Sequence, residues 1–248
     1  MTESSSDVEY STNPAPKPAS LWEDFIDIFS APRSVFERRE NSSPWPAILV
    51  VSAILLIISF ATFNSIAPAI ENEMRTQMAK SGRMTEDAIN QAVGMTMKFA
   101  RFGGLVLLIL IPLTGLWYWL VGYPFSNKQR TIASAMMAVG YAYIIRCVSG
   151  LVSGIQALLM DPLSLTSPFA VSASAARFVD RDSVSPVVWA LSTKIDLFDF
   201  WYITLLAIGL TVIGRTSRGK AIAFGIVYWA LGAGWAVLNA MRSSAAGG

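Results

Sequence analysis

Long uncharged stretches of apolar residues alternate with shorter polar stretches along most of the chain. A helix needs about 20 predominantly apolar residues to cross roughly 30 Å of hydrocarbon. Five stretches meet this requirement wholly or in part, and we predict membrane spans at about 45–67, 102–123, 131–160, 195–214 and 221–241. The fourth has an uncharged core only from Phe200 to Gly214, so its span is extended back to 195 and carries Asp196 and Asp199 in its first turns.

The N-terminal part of the chain has a different pattern. Residues 1–19 are polar and rich in Ser and Pro, which predicts a disordered tail. Ser20 precedes Glu23 at the spacing of a capping box, so a helix is expected to begin here. Pro32 ends that helix and can begin a second, shorter one. At the other end of the chain, 243–248 is predicted to be a flexible tail.

Residues 20–40 form an amphipathic segment, since their apolar side chains recur at the spacing of one helical face. Two placements are open at this stage. The segment lies on the membrane surface, or it packs against another part of the same protein. The surface placement would put three aromatic residues at the membrane interface together with the residue that begins the first span: Trp22, Phe25, Phe29 and Trp45.

Composition supports a polytopic membrane protein of the all-α class. Hydrophobic residues make up 53% of the 248 residues and charged residues only 15%, against about 25% in soluble domains. The net charge of +2 is too balanced for a nucleic-acid-binding protein. Without His, and with Cys147 as its one cysteine, the chain lacks the ligands of a Cys/His zinc site and the base of a Ser-His pair. We therefore predict a non-enzymatic protein without a metal or a cofactor.

Lys and Arg near the span ends predict the orientation. With the N-terminus inside, the two inner loops between spans are very short and dense in positive charge, as in Lys128 and Arg130 and in 215–220. The outer basic residues are spread over longer loops with acidic residues among them. A cytoplasmic N-terminus is therefore favoured. Thr85, followed by Glu86 and Asp87, predicts a further helix in the first outer loop.

Arg146 is a charged residue inside the third span, where a charge is costly unless it is paired or faces water. It lies about 22 Å from the inner end of that span at 1.5 Å per residue. The fourth span runs in the opposite direction, so Asp196 and Asp199 are expected at a similar depth. We predict an intramembrane polar cluster of these three residues. It either orders the bundle or forms part of a substrate or proton path.

Gly150 and Gly154 form a G-x-x-x-G pair in the third span. Small residues at this spacing let two helices approach closely within lipid. The pair predicts helix packing within the bundle, with a homodimer contact as the alternative.

Several stretches together resemble a known family. The segment from Trp22 to Arg38, WEDFIDIFSAPRSVFER, is similar to the one that precedes the first span in bacterial members of the Yip domain family, named for Ypt/Rab-interacting proteins. The run GYAY at 140–143 and the stretch IDLFDFWYITLLAIGL from Ile195, followed by GKA at 219–221, strengthen the resemblance. It covers roughly 20–240.

The resemblance implies a polytopic membrane protein with a cytosolic N-terminus. Eukaryotic members of the family associate with Rab GTPases and vesicle traffic. The Asp-Leu-Tyr-Gly-Pro type of motif of that branch is absent here, so Rab binding is not carried over to this chain.

From these observations we predict a scaffold or an accessory subunit of a membrane assembly, in the bilayer of a bacterial cytoplasmic (inner) membrane. Protein partners are expected, and a homo-oligomer is left open. The alternative is a small transporter or permease component with a polar site around Arg146, Asp196 and Asp199.

Overall fold

The computed structural model describes residues 19–80, 82, 84–161, 164, 165 and 167–246, so the predicted disordered tail falls, apart from residue 19, outside the described residues. Within those ranges the protein is built from helices. In chain order they are α1 (Leu21–Ser30), α2 (Pro32–Arg39), α3 (Trp45–Lys80), α4 (Glu86–Ala100), α5 (Gly103–Gly122), α6 (Ile132–Ala142), α7 (Ile144–Leu159), α8 (Pro186–Ser192), α9 (Leu197–Ile213) and α10 (Arg218–Ala246). Short 3-10 turns lie between α5 and α6 and between α7 and α8.

In the described part of the chain, four helical segments are long and apolar enough to cross a membrane. They are Trp45–Ala79, Gly103–Phe125, Ile132–Leu159 and Arg218–Ser243. The predicted fourth span corresponds to α9, which has 17 residues and is shorter than the others. Helix α10 continues to Ala246, so most of the segment predicted to be a flexible C-terminal tail is helical.

Two of the long helices differ from their predicted bounds. Helix α3 runs on to Lys80, beyond the span predicted at about 45–67, because polar pairs one turn apart, such as Arg75 with Glu71, continue the helix beyond its apolar part. The predicted third span is interrupted at Tyr143, which separates α6 from α7. Thr85 caps α4 as the sequence predicts, since its side chain accepts a hydrogen bond from the backbone of Ala88.

Close helix packing in the bundle depends on small residues. A Cβ atom added at Gly104 of α5 would overlap the backbone of Leu56 in α3. The predicted packing pair also faces α3, since a Cβ atom added at Gly150 would lie 3.5–3.6 Å from the side chains of Leu55 and Ile58. Gly154 lies against Thr62 of the same helix. Both glycines are therefore used in contacts within the chain.

Helices α1 and α2 form a hairpin that packs against the bundle. The capping box of Ser20 and Glu23 begins α1 as predicted. Phe25, at 5% exposure, lies in the core with its ring 5.3 Å from that of Tyr141, so it is not at the membrane interface as the surface placement predicts. The reason is that one face of each hairpin helix supplies buried side chains to the core, namely Phe25, Ile28, Val35 and Phe36.

The other three predicted interface residues remain on the outside. Trp22 is 63% exposed, Phe29 40% and Trp45 51%. Trp22, Ile26 and Phe29 follow one another at the spacing of one helical face, so α1 has a second apolar face beside the buried one. Trp22 and Ile26 are the more exposed residues of this face, while the ring of Phe29 lies 5.4 Å from that of Trp201 in α9.

Two loops meet at one end of the bundle. The backbone N–H groups of Asn127 and Lys128 donate to the carbonyl of Gly214 at 2.9 and 3.1 Å. Thr216 donates its hydroxyl to the carbonyl of Phe125 at 2.6 Å. The end of α5, the start of α6, the end of α9 and the start of α10 therefore lie at the same end.

Candidate functional site

The polar cluster predicted inside the bundle centres on one ion pair. Arg146 of α7 and Asp199 of α9 lie 2.5 Å apart between Nη1 and Oδ1. The guanidinium also lies over the ring of Tyr202, at 5.1 Å from its centroid. The ring of Tyr143 packs edge-on against that of Tyr202. The side chains of Arg146 and Asp199 are 36% and 21% exposed, so the pair is not sealed from its surroundings.

Asp196 has a different place. It is the N-cap of α9, and its Oδ1 accepts hydrogen bonds from the backbone N–H groups of Phe198 at 2.8 Å and Asp199 at 3.0 Å. A carboxylate at this position satisfies free backbone donors and complements the helix dipole. Of the two carboxylates predicted near Arg146, Asp199 forms the ion pair and Asp196 begins the helix that carries Asp199.

A second charged cluster joins the two helices of the N-terminal hairpin and touches the bundle at Tyr141. The side chain of Asp24 has no exposed surface and pairs with two arginines of α2. Arg38 donates to Oδ1 from Nη2 at 2.7 Å and from Nε at 3.2 Å, while Arg39 donates to Oδ2 from Nε at 2.5 Å. The hydroxyl of Tyr141 in α6 lies 3.4 Å from the same carboxylate. We name these four residues the hairpin cluster: Asp24, Arg38, Arg39 and Tyr141.

The hairpin cluster is stabilised by charge pairing. Arg38 also binds Asp27 at 2.7 Å, and its hydrogen bonds to Asp27 and Asp24 raise its pKa above the ordinary value. Arg39 donates to the carbonyl of Ala19 at 2.6 Å. The buried carboxylate of Asp24 therefore faces two guanidinium groups. Asp24 was not identified from the sequence, although the basic pair Arg38 and Arg39 at the end of α2 could have indicated an acidic partner.

The two loops that meet at one end carry a dense set of charges. Glu40 binds both Lys128, at 3.2 Å, and Arg215, at 2.8 Å. Lys220 donates to the side chain of Asn127 at 2.8 Å. Arg215 has a φ of 48°, a left-handed conformation that is strained for a residue other than glycine. These contacts connect the end of the hairpin to both loops.

A buried arginine lies at the same end. Arg130 is only 7% exposed, and burial lowers its pKa from the ordinary value. Its Nη2 donates to the carbonyls of Tyr118 at 3.2 Å and Trp119 at 2.5 Å, near the end of α5. A cation at a helix C-terminus complements the helix dipole there. In the ranges that the structure describes, no three His, Cys, Asp or Glu residues come together in a way that could hold a metal ion.

The comparisons with known proteins agree with this architecture. The Yip1 domain model matches residues 26–238. The chain is similar to the membrane protein YknW of Bacillus subtilis (strain 168), with 25% identity over 223 residues that cover 89% of this chain and 91% of that protein. No solved structure matches it. The matched region begins in the second half of α1 and ends in α10, so it includes α2. The chain belongs to the Yip1 domain family of membrane proteins.

Proposed function

We propose that this protein is a non-enzymatic scaffold or accessory subunit of a membrane assembly, and that the outer face of α1 contacts its partner. The proposal is carried by the hairpin cluster together with the apolar residues opposite it. Asp24 holds α1 against α2, while Trp22 and Ile26 remain exposed on the other side of α1. A helix that is fixed in place and apolar on its outer face is typical of a binding surface.

The proposed arrangement in the membrane has five spans. The contact between the two loops supports the five-span arrangement, because it shows that Asn127 and Gly214 lie at the same end of the bundle. Ile132–Leu159 leads away from that end, so the chain must return to it before residue 214. Helix α9, with 17 residues and a length of about 26 Å at 1.5 Å per residue, supplies the return.

The end with the two loops is proposed to face the cytoplasm of a bacterium, in its inner membrane. Positive charge supports this orientation, because short cytoplasmic loops carry an excess of Lys and Arg. Glu40, at the end of the hairpin, binds to the loops at the same end, and this contact supports a cytoplasmic N-terminus. The basic residues of the two loops and the start of α10 are Lys128, Arg130, Arg215, Arg218 and Lys220.

Purification from the native membrane tests the accessory role. The protein is extracted in mild detergent through an N-terminal tag, and copurifying proteins are quantified by mass spectrometry. We expect one partner at a molar amount similar to that of the tagged chain. The variant with Trp22→Ser and Ile26→Ser should lose it. The matched control carries Met95→Ser and Phe99→Ser on α4, where the side chains are 59% and 67% exposed, and should retain it.

The transporter alternative predicts another outcome. A protein that is purified alone, with the α1 variant indistinguishable from the control, contradicts the accessory role. In that case the Arg146–Asp199 pair, whose side chains are partly exposed, becomes the first region to test for transport.

A further inference from the structure

Helix α2 runs alongside the last part of α9. At the end of the bundle where the two loops meet, here called the loop end, Glu40 follows α2 and binds Arg215, which follows α9. Farther from that end, a Cβ atom added at Gly209 would lie 3.5 Å from the ring of Phe36. The two contacts show that α2 and α9 run side by side towards the loop end.

Helix α1 extends this packing farther from the loop end. It begins beside the end of α2, since Arg39 donates to the carbonyl of Ala19. Near the other end of α1, the ring of Phe29 lies 5.4 Å from that of Trp201. Trp201 precedes Gly214, at the end of α9, by thirteen residues, or about 20 Å at 1.5 Å per residue. The turn between α1 and α2 is therefore the part of the hairpin farthest from the loop end.

The length of α9 sets the depth of the hairpin in a bilayer. The 17 residues of α9 extend over about 26 Å, which is less than the roughly 30 Å of hydrocarbon. In the five-span arrangement, α9 therefore lies within the hydrocarbon over its whole length. Because the hairpin packs beside α9 from the loop end as far as Trp201, it lies in the hydrocarbon of the leaflet on the side of the loops.

The charges of the hairpin are paired, which is what this depth requires. A charged side chain at the level of the hydrocarbon is costly unless it has a partner. From Asp24 to Glu40, every charged side chain has a partner of opposite charge. The ion pairs of this segment are Asp24 with Arg38 and Arg39, Asp27 with Arg38, Arg33 with Glu37, and Glu40 with Lys128 and Arg215.

The uncovered face of α1 is apolar in an order that suits a segment entering the membrane. Trp22 lies near the loop end, and Ile26 lies about one turn deeper, at 71% exposure. Tryptophan is common at the boundary between lipid and water, while isoleucine is favoured within the hydrocarbon.

We propose that the N-terminal hairpin is a re-entrant element, which enters the bilayer at the loop end and turns back within it, so that the uncovered face of α1 lies among lipid acyl chains. A helix flat in the interface would hold Trp22, Ile26 and Phe29 at one depth. The hairpin holds them at increasing depth, over about 10 Å from the first to the third. The inference rests on the proposed five-span arrangement and is independent of the accessory role. A protein that binds this face reaches it within the membrane.

Spin labels at single cysteines measure this depth in the full-length protein, in vesicles of dioleoylphosphatidylcholine and dioleoylphosphatidylglycerol. The labelled variants are Trp22→Cys, Ile26→Cys and Phe29→Cys, each with Cys147→Ala to remove the buried native thiol. Collisions with oxygen, which concentrates in hydrocarbon, are compared with collisions with a water-soluble nickel chelate. We expect the ratio of oxygen to nickel collisions to rise from position 22 to 26 to 29, over a depth difference of about 10 Å.

Three further labelled positions serve as references. Ile109→Cys, 65% exposed in the middle of α5, should report hydrocarbon. Gln91→Cys, exposed on α4, should report water, because the neighbouring Asn90 binds Arg75 in the polar extension of α3. Phe200→Cys, 44% exposed on α9, tests the five-span arrangement separately and should report hydrocarbon.

Three results would overturn the proposal. Equal ratios at 22, 26 and 29, at a value between the two references, would place α1 flat in the interface. Water at 26 and 29, with hydrocarbon at 200, would contradict the re-entrant hairpin and leave the five spans standing. Water at 200 would contradict the five-span arrangement and the hairpin inference with it. If Phe29→Cys fails to fold, positions 22 and 26, about 6 Å apart in depth, still decide.

Discussion

Replacing Asp24 by Asn tests whether the hairpin cluster holds α1 against α2. The change keeps the size of the side chain and removes its charge. Asp24 has no exposed surface and accepts three hydrogen bonds from Arg38 and Arg39 at 2.5–3.2 Å. An asparagine carries one acceptor oxygen, and its amide group donates, so it leaves one of the two guanidinium groups facing another donor.

The free-energy cost of Asp24→Asn follows from the burial of Asp24, Arg38 and Arg39. Breaking a fully buried ion pair costs about 3–5 kcal/mol. The two arginine side chains are 35% and 22% exposed, and Arg38 keeps its bond to Asp27, so solvent and the second carboxylate reduce this cost. We expect a loss of about 2–3 kcal/mol in the free energy that opposes opening of the hairpin.

Hydrogen–deuterium exchange measures this free energy locally. With the protein in lipid nanodiscs, amide exchange in 21–39 should be about 30- to 150-fold faster in Asp24→Asn, since about 1.4 kcal/mol corresponds to a factor of ten. Asp27→Asn is the control, because that side chain is 38% exposed and contacts Arg38 alone. Its effect should stay below about fivefold. Equal acceleration in the two variants would refute the structural role of the hairpin cluster.

Two further predictions concern the bundle, and both are measured as thermal unfolding midpoints in detergent. Gly104→Ala should destabilise the protein by about 1–3 kcal/mol, because the new methyl group would overlap the backbone of Leu56. Gly234→Ala is the control: a methyl group there meets no atom within 4 Å, so the change should be neutral or stabilising by up to about 1 kcal/mol. The same change in stability in both variants would contradict the packing of α5 on α3. Arg146→Leu should cost about 2 kcal/mol, because it leaves the carboxylate of Asp199 without its partner, and Leu at both positions should recover most of the loss if the pair is structural. A double variant as unstable as the single one would contradict that role.

Local signals in the sequence predicted the helices well. The capping box at Ser20 and the cap at Thr85 depend on residues three positions apart, and both are present. The apolar stretches predicted the long helices, because backbone groups within lipid must be paired inside one segment. The proximity of Arg146 and Asp199 followed from counting residues along two antiparallel helices.

Contacts between distant elements were less accessible from the sequence. Phe25 has the same periodicity whether it faces lipid or protein, and its place against Tyr141 depends on how the hairpin docks. Asp24 is buried because Arg38 and Arg39 of the next helix contact it after the turn at Pro32. These partners are 14 and 15 residues away in the sequence, and helical periodicity does not predict contacts between two helices. The length of α3 did not follow from the apolar stretch, because pairing between polar residues extends the helix beyond it.

Site-specific photo-crosslinking in the native membrane tests the accessory role most directly. A photoreactive phenylalanine analogue replaces Ile26 on the outer face of α1 or, as a control, Met95 on α4; the two positions are 71% and 59% exposed. The account predicts one discrete adduct with another membrane protein from position 26, no such adduct from position 95, and a weaker adduct when Asp24→Asn is added. No protein adduct at position 26 above the level at position 95 would contradict it.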